Sequence, residues 1–209
     1  MALSRLLHLC LCLFPLGLAA QPAREAPFVE LFDGTLDGWR VVFTDGNNIT
    51  AADGVLRVAA PRGWVRSARR YTDFRLTVEF RWLTDDADSG VFLRADPDRT
   101  FARGWPDGSY QVQLRNPLGQ SPFPPVGFLF RHRMPEGRMA FNEEAARSAA
   151  LPTGEWQTLA VELNGERLAV WLNGTPITRA DRVQRSSNFI GLQAETGALE
   201  FRSIRIQEL

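Results

Sequence analysis

Between Phe74 and Trp82 every second residue is large and apolar: Phe74, Leu76, Val78, Phe80 and Trp82 alternate with Arg75, Thr77, Glu79 and Arg81. Only an extended chain puts such a series on one face, so this segment is a strand with one side buried and the other wet. The same period recurs in Thr158–Leu172, where Leu159, Val161 and Leu163 lead into Asn164–Gly165 and Leu168, Val170 and Leu172 lead out. Asn-Gly tolerates the positive φ angles of a tight hairpin turn, and the spacing predicts a hairpin turning at that pair. Asp33–Gly34, Asp53–Gly54 and Asn173–Gly174 punctuate further short runs. Near the end Leu199 and Phe201 fall on one phase and Ile204 and Ile206 on the other, which predicts a bulge at Arg202–Ser203. Only Asn142–Ala150 reads as helix, with Asn142 as its N-cap, and Asn116–Gly127 reads as a long Pro- and Gly-rich loop. Many short strands with almost no helix predict an antiparallel, all-β sandwich or barrel, one domain over 26–209.

The first twenty residues do not join that pattern. A short basic start ending at Arg5 precedes the apolar run Leu6–Leu18, and Ala19 and Ala20 precede the polar Gln21. This is the layout of a secretory signal peptide over 1–20, which predicts a periplasmic or secreted protein with no membrane span after cleavage. Cleavage near Ala20 removes Cys10, Cys12 and His8, the only cysteines and one of two histidines. The remainder then has no thiol nucleophile, no disulfide and no Cys/His zinc site. All 24 basic residues are arginine and balance 24 acids. Lysine chemistry is therefore absent, and the even charge argues against a nucleic-acid partner.

Several strings are more specific together than singly: Leu31-Phe-Asp-Gly-Thr-Leu-Asp-Gly-Trp39, Ser89-Gly-Val-Phe-Leu-Arg94, Tyr110-Gln-Val-Gln113, Gly154-Glu-Trp156, Leu172-Asn-Gly174, Ile190-Gly-Leu-Gln-Ala-Glu195 and Glu200-Phe-Arg-Ser-Ile-Arg-Ile206. In this order and spacing they resemble the 3-keto-disaccharide hydrolase domain family over nearly the whole chain. The resemblance implies a concanavalin A-like jelly-roll β-sandwich that acts on glycosides already oxidised at C3. Two departures from the family pattern stand out. Gln111 and Arg115 occupy usually acidic positions of the Tyr-Glu-x-Gln segment, and Asp88 replaces the usual asparagine before Ser-Gly-Val.

A 3-keto group acidifies the hydrogen on C2, so a base there can expel the C1 substituent, and water then adds to the double bond. Such a site needs a base, a donor for the enolate oxygen and an acid for the leaving oxygen. Arg94 is the expected enolate donor, a permanently charged fork at the end of a family string. Glu195 is the expected base, with Asp88 the second carboxylate. Tyr110, Gln111 and Gln113 are expected to hold sugar hydroxyls, and Trp105 to offer a ring to a sugar face; Trp64, like Trp105, lies beside Gly or Pro in a loop-like stretch, where core packing or loop anchoring is the commoner use of a Trp. His132, flanked by Arg131 and Arg133, reads as a neutral surface-loop histidine. The Glu-x-Asp-x-x-Glu pattern of laminarinases, which share the implied fold, is absent. No cofactor is expected, and a metal requirement is left open: the acidic turn Asp85-Asp-Ala-Asp88 offers oxygen ligands for a divalent cation such as Ca²⁺, although a solvated turn is the commoner use of such a cluster. Two functions follow, a 3-keto-glycoside hydrolase and a non-catalytic carbohydrate-binding module on the same scaffold. The partner in both is a carbohydrate, and the oligomeric state is left open.

Overall fold

The computed structural model describes residues 26–98, 104–134 and 137–209; residues 1–20, expected to be a signal peptide, lie outside them. In chain order the strands are β1 (Val29–Glu30), β2 (Trp39–Thr44), β3 (Ile49–Ala52), β4 (Val55–Ala59), β5 (Gly63–Ser67), β6 (Phe74–Trp82), β7 (Gly90–Ala95) and β8 (Ser109–Gln113). They continue with β9 (Leu129–His132), β10 (Met139–Phe141), helix α1 (Glu143–Ala149), β11 (Gln157–Asn164), β12 (Arg167–Leu172), β13 (Thr175–Ala180), β14 (Phe189–Ala194) and β15 (Ala198–Glu208). One sheet runs β10-β13-β12-β11-β6-β15-β4-β3, with β1 also on β15, and the other runs β2-β5-β14-β7-β8-β9. The pairings in both are antiparallel. This is the antiparallel sandwich that the alternating pattern predicts and the jelly roll that the family resemblance implies.

The inward residues of β6 are all buried, and its outward residues are half-exposed. They pack in one core with Val65, Val91, Leu93, Tyr110, Val112 and Leu192 of the other sheet. Trp82 is in that core, and its indole N–H donates to the Leu114 carbonyl at 2.7 Å, which satisfies its one polar atom. Asn142 caps α1, its side-chain oxygen accepting from the Ala145 amide. Asp53–Gly54 and Asn173–Gly174 close hairpins with both residues at positive φ. The β11–β12 hairpin turns one residue later than predicted: Asn164 still pairs with Arg167, so Gly165 and Glu166 form the turn. The cause is tertiary, because the Gly165 amide donates to Asp73 and its carbonyl accepts from Arg94.

The outer face of the six-stranded sheet is partly covered rather than wet. Trp64 lies in β5 rather than a loop, and with Phe92, Ala95 and Trp105 it forms a second, smaller core on that face. Trp64 meets Phe92 edge-on, with ring centres 5.7 Å apart, and donates its indole N–H to the Gly104 carbonyl. Neither Trp64 nor Trp105 is therefore an exposed platform for a sugar. Gly191 makes this packing possible, since a Cβ there would come within 2.9 Å of the Trp64 ring.

Candidate functional site

The outer face of the six-stranded sheet carries a line of polar side chains on three neighbouring strands. Period two puts Gln111, Gln113 and Arg115 on one face of β8 and its continuation, Gly90 and Asp88 on that of β7, and Gln193 and Glu195 on that of β14. Registry aligns them, with Gln111 opposite Phe92, Gln113 opposite Gly90 and Phe92 opposite Gly191. Gly90 has to be glycine for space: a Cβ there would collide with the Gln111 side chain, which lies across it.

The inner part of this line is neutral and buried. Gln111 donates from Nε2 to Gln113 Oε1 at 2.8 Å and to Gln193 Oε1 at 3.0 Å, and its own Oε1 lies 2.8 Å from His132 Nε2. His132 is thus no surface-loop residue. It sits on β9, half-buried, its ring edge-on to Phe92. Burial holds its pKa below the ordinary histidine value against the opposing pull of Asp107, so the imidazole is neutral at pH 7 and donates to Gln111. Desolvation, more than the two flanking arginines, is the reason.

The outer part is charged and opens into a cavity of about 320 Å³ lined by Asp85, Asp86, Asp88, Arg115, Phe123 and Glu195, among others. Asp88 is 1% exposed. Its Oδ2 accepts from Arg115, while Oδ1 is buried without a hydrogen-bond donor. Burial raises the Asp88 pKa to about 6; the Arg115 charge, its hydrogen bond, the Ser89 amide and a hydrogen-bonding contact with Glu195 pull the other way but do not prevail. A carboxyl that titrates near neutrality beside a second carboxyl and a guanidinium can hold or release a proton at working pH.

The structure brings Asp88 and Glu195 together at one cavity, with Gln111 and Gln113 directly inside them. The other expectations need correction. Arg94 stands at the opposite end of β7 from Asp88, about 20 Å away at strand rise. Two residues of β7, Leu93 and Arg94, face the single Ile190 of β14, and Arg94 takes a φ of 53°. That bulge turns Arg94 off the outer face into the end of the sandwich. There its fully buried guanidinium donates to the carbonyls of Val183, Gln184, Thr72 and Gly165 and to Asp73. It holds loops together and does not reach the cavity. Tyr110 faces the inner core, and its hydroxyl accepts from the Gln184 amide at 2.7 Å. Trp105 is buried in the smaller core. The acidic turn is divided, Asp85 accepting from Thr153 and Asp88 from Arg115, and among the described residues no group of three or more His, Asp or Glu side chains is arranged to hold a metal ion.

Arg115, Gln193 and His132 are the members the sequence reading did not place in the site. Period two held the signal for the first two, since 115 follows 113 and 193 precedes 195 on one face.

Comparison with known proteins gives three results. The model of the 3-keto-alpha-glucoside-1,2-lyase-like domain matches residues 27–207. No curated protein matches the sequence. Among solved structures, a protein provisionally named a glycosyl hydrolase, from Parabacteroides distasonis ATCC 8503, superposes with a TM-score of 0.66 at 19% identity, over 88% of this chain and 100% of that one. A Bacillus subtilis protein of unknown function with a galectin-like fold gives 0.65 at 11% identity, over 88% and 97% of the two chains. The carbohydrate-binding module CBM66 of Bacillus subtilis gives 0.54 at 11%, over 82% and 96%. At these identities the likeness is one of fold.

Proposed function

The chain belongs to the 3-keto-alpha-glucoside-1,2-lyase-like domain family, and on that premise we propose that it cleaves the glycosidic bond of 3-keto-glycosides by elimination followed by hydration. The observation that carries this reading is the Asp88–Arg115–Glu195 cluster at the mouth of a sugar-sized cavity. Glu195 is half-buried and faces the cavity, whereas Asp88 lies beneath it, so Glu195 is the group that meets substrate. As a base, Glu195 takes the C2 proton, and the electron pair moves into the C2–C3 bond and onto the ketone oxygen. Arg115 stabilises that oxyanion, the role first given to Arg94. Collapse of the enolate forms the C1–C2 double bond and breaks the bond from C1 to the leaving oxygen, which takes up a proton from the carboxyl pair. Water then adds at C1 and a proton at C2, giving the free 3-keto sugar. Asp88 sets the proton affinity of the pair, and the sequence of steps calls on no resident metal.

Product analysis tests this reading. The wild-type chain is expected to release a 3-keto sugar from 3-keto-disaccharides with or without chelator, and Glu195→Gln to slow release by about 100-fold or more. No release by a folded chain, or equal release by the variant, contradicts the assignment. The second reading, a carbohydrate-binding module, is favoured by Gln111, which stands at a usually acidic family position within a buried, neutral Gln111–Gln113–Gln193–His132 network that supplies no acid. It predicts binding without turnover, lost when the cavity-lining Arg115 is replaced by Ala. Secretion or export to the periplasm fits both readings, and the mature protein is expected to begin near Gln21, which intact-mass measurement of exported protein checks.

A further inference from the structure

Phe123 is 60% exposed, yet it lines the same cavity as Asp88, Arg115 and Glu195. The segment that carries it is tied down on both sides. Asn116 is buried, donates to the Thr84 carbonyl and Thr153 hydroxyl, and accepts from the Leu118 amide. Arg147 donates to the Pro117 carbonyl, and the buried Val126 donates its amide to the Arg115 carbonyl. The Phe123 amide itself donates to the Ser121 hydroxyl. The Arg115 guanidinium lies 5.3 Å from the Phe123 ring centre, which links the ring to the Asp88 pair. An aromatic ring in the lining of a polar cavity offers a flat apolar face to whatever occupies the mouth. A cavity of about 320 Å³ is at the small end for ligand sites and has room for little beyond one sugar ring. Whatever that sugar carries at C1 must leave through the mouth.

We infer that Phe123 forms a leaving-group subsite, which takes the flat apolar face of an uncharged ring bonded to the 3-keto sugar, and this rests on the activity proposed above. The ring is an aromatic aglycone or the C–H face of a second pyranose; both present the same surface to Phe123. The mouth also sets a charge rule. Among the described residues its lining holds Asp85, Asp86, Asp88 and Glu195 against Arg115 as the one cation, so a leaving group bearing a carboxylate is disfavoured.

The test uses a series of 3-keto-glucosides whose leaving groups are methanol, phenol, 4-carboxyphenol and glucose. Replacing Phe123 by Ala removes an exposed side chain, so the fold survives. The phenyl-over-methyl ratio of kcat/KM is expected to fall about 3- to 10-fold in Phe123→Ala and to be restored in Phe123→Trp. A parallel fall for the glucosyl substrate identifies the pyranose as a ligand of the subsite, and no fall there restricts it to aromatic rings. The carboxyphenyl substrate is expected to be poorer than the phenyl one at low salt, with the gap closing as salt is added. A phenyl-over-methyl ratio unchanged by Phe123→Ala overturns the inference while leaving the activity in place. If the wild type turns over none of the series, the activity fails. Binding of the unoxidised glucosides, measured by calorimetry, then decides the subsite alone: it stands if phenyl glucoside outranks methyl glucoside and Phe123→Ala removes the difference, and falls otherwise.

Discussion

At the scale of single residues the account depends on two buried charged side chains with opposite uses. Asp88 has its pKa raised to about 6 by burial, so the Asp88–Glu195 pair takes up an extra proton as pH falls through about 6. A base is lost by protonation, so turnover is expected to fall along that limb, and in Asp88→Asn the limb moves down toward the ordinary carboxylate range. A pH–rate profile of kcat/KM for both proteins checks this; an unmoved limb assigns the titration to another group. The same shift has a stability consequence. A carboxyl whose pKa is raised by folding favours the folded state below its unfolded value of 3.8, and that contribution is lost as pH rises through about 6. Arg94 has no such chemistry. Its removal strands four carbonyls at the far end of β7, while Asp73 keeps Arg185 and the Gly165 amide, so Arg94→Ala is expected to cost about 3–5 kcal/mol of stability through the unpaired carbonyls. Chemical denaturation measures this loss, and turnover per folded molecule is expected to be retained; a catalytic loss without a stability loss would return Arg94 to the site.

At the scale of elements, glycines decide which side chains the outer face of the smaller sheet can hold. Gly90 leaves room for Gln111, which in turn collects Gln113, Gln193 and His132. Gly90→Ala is expected to destabilise the fold by about 1–3 kcal/mol, and adding Gln111→Ala to recover much of it. Thermal melts of the two single variants and the double variant close that cycle; additive losses would mean that Gln111 does not occupy the space above Gly90. The strands themselves were legible. β6 follows its apolar period residue for residue, and the bulge at Arg202 lies where the phase of Leu199 and Phe201 gives way to that of Ile204 and Ile206. The bulge at Arg94 was not legible, because Leu93-Arg94-Ala95 contains no run of apolar residues whose phase could slip. The burial of β8 on both faces was not legible either. Its Gln111 and Gln113 are covered by groups distant in sequence, and a local period does not report what covers a face.

At the scale of the whole molecule, the sandwich separates stability from chemistry. The core between the sheets and the Arg94 cluster at one end hold the fold, while the cavity with Asp88, Arg115, Glu195 and Phe123 opens at the other end of β7. That division was only half legible. The family strings run through strands of the smaller sheet, but a string does not say which of its residues lies at which end. Asp88 in place of the family's asparagine and Arg115 in place of its aspartate read as two separate departures in sequence. In space they are one ion pair. The direct test of the central claim is to run the reaction in D₂O and inspect C2 of the released 3-keto sugar by proton NMR, with the free sugar incubated alone to correct for exchange. Elimination and hydration predict one deuterium at C2 from the first turnovers onward. Release of a sugar that keeps its C2 hydrogen would mean direct displacement at C1 and would contradict the account.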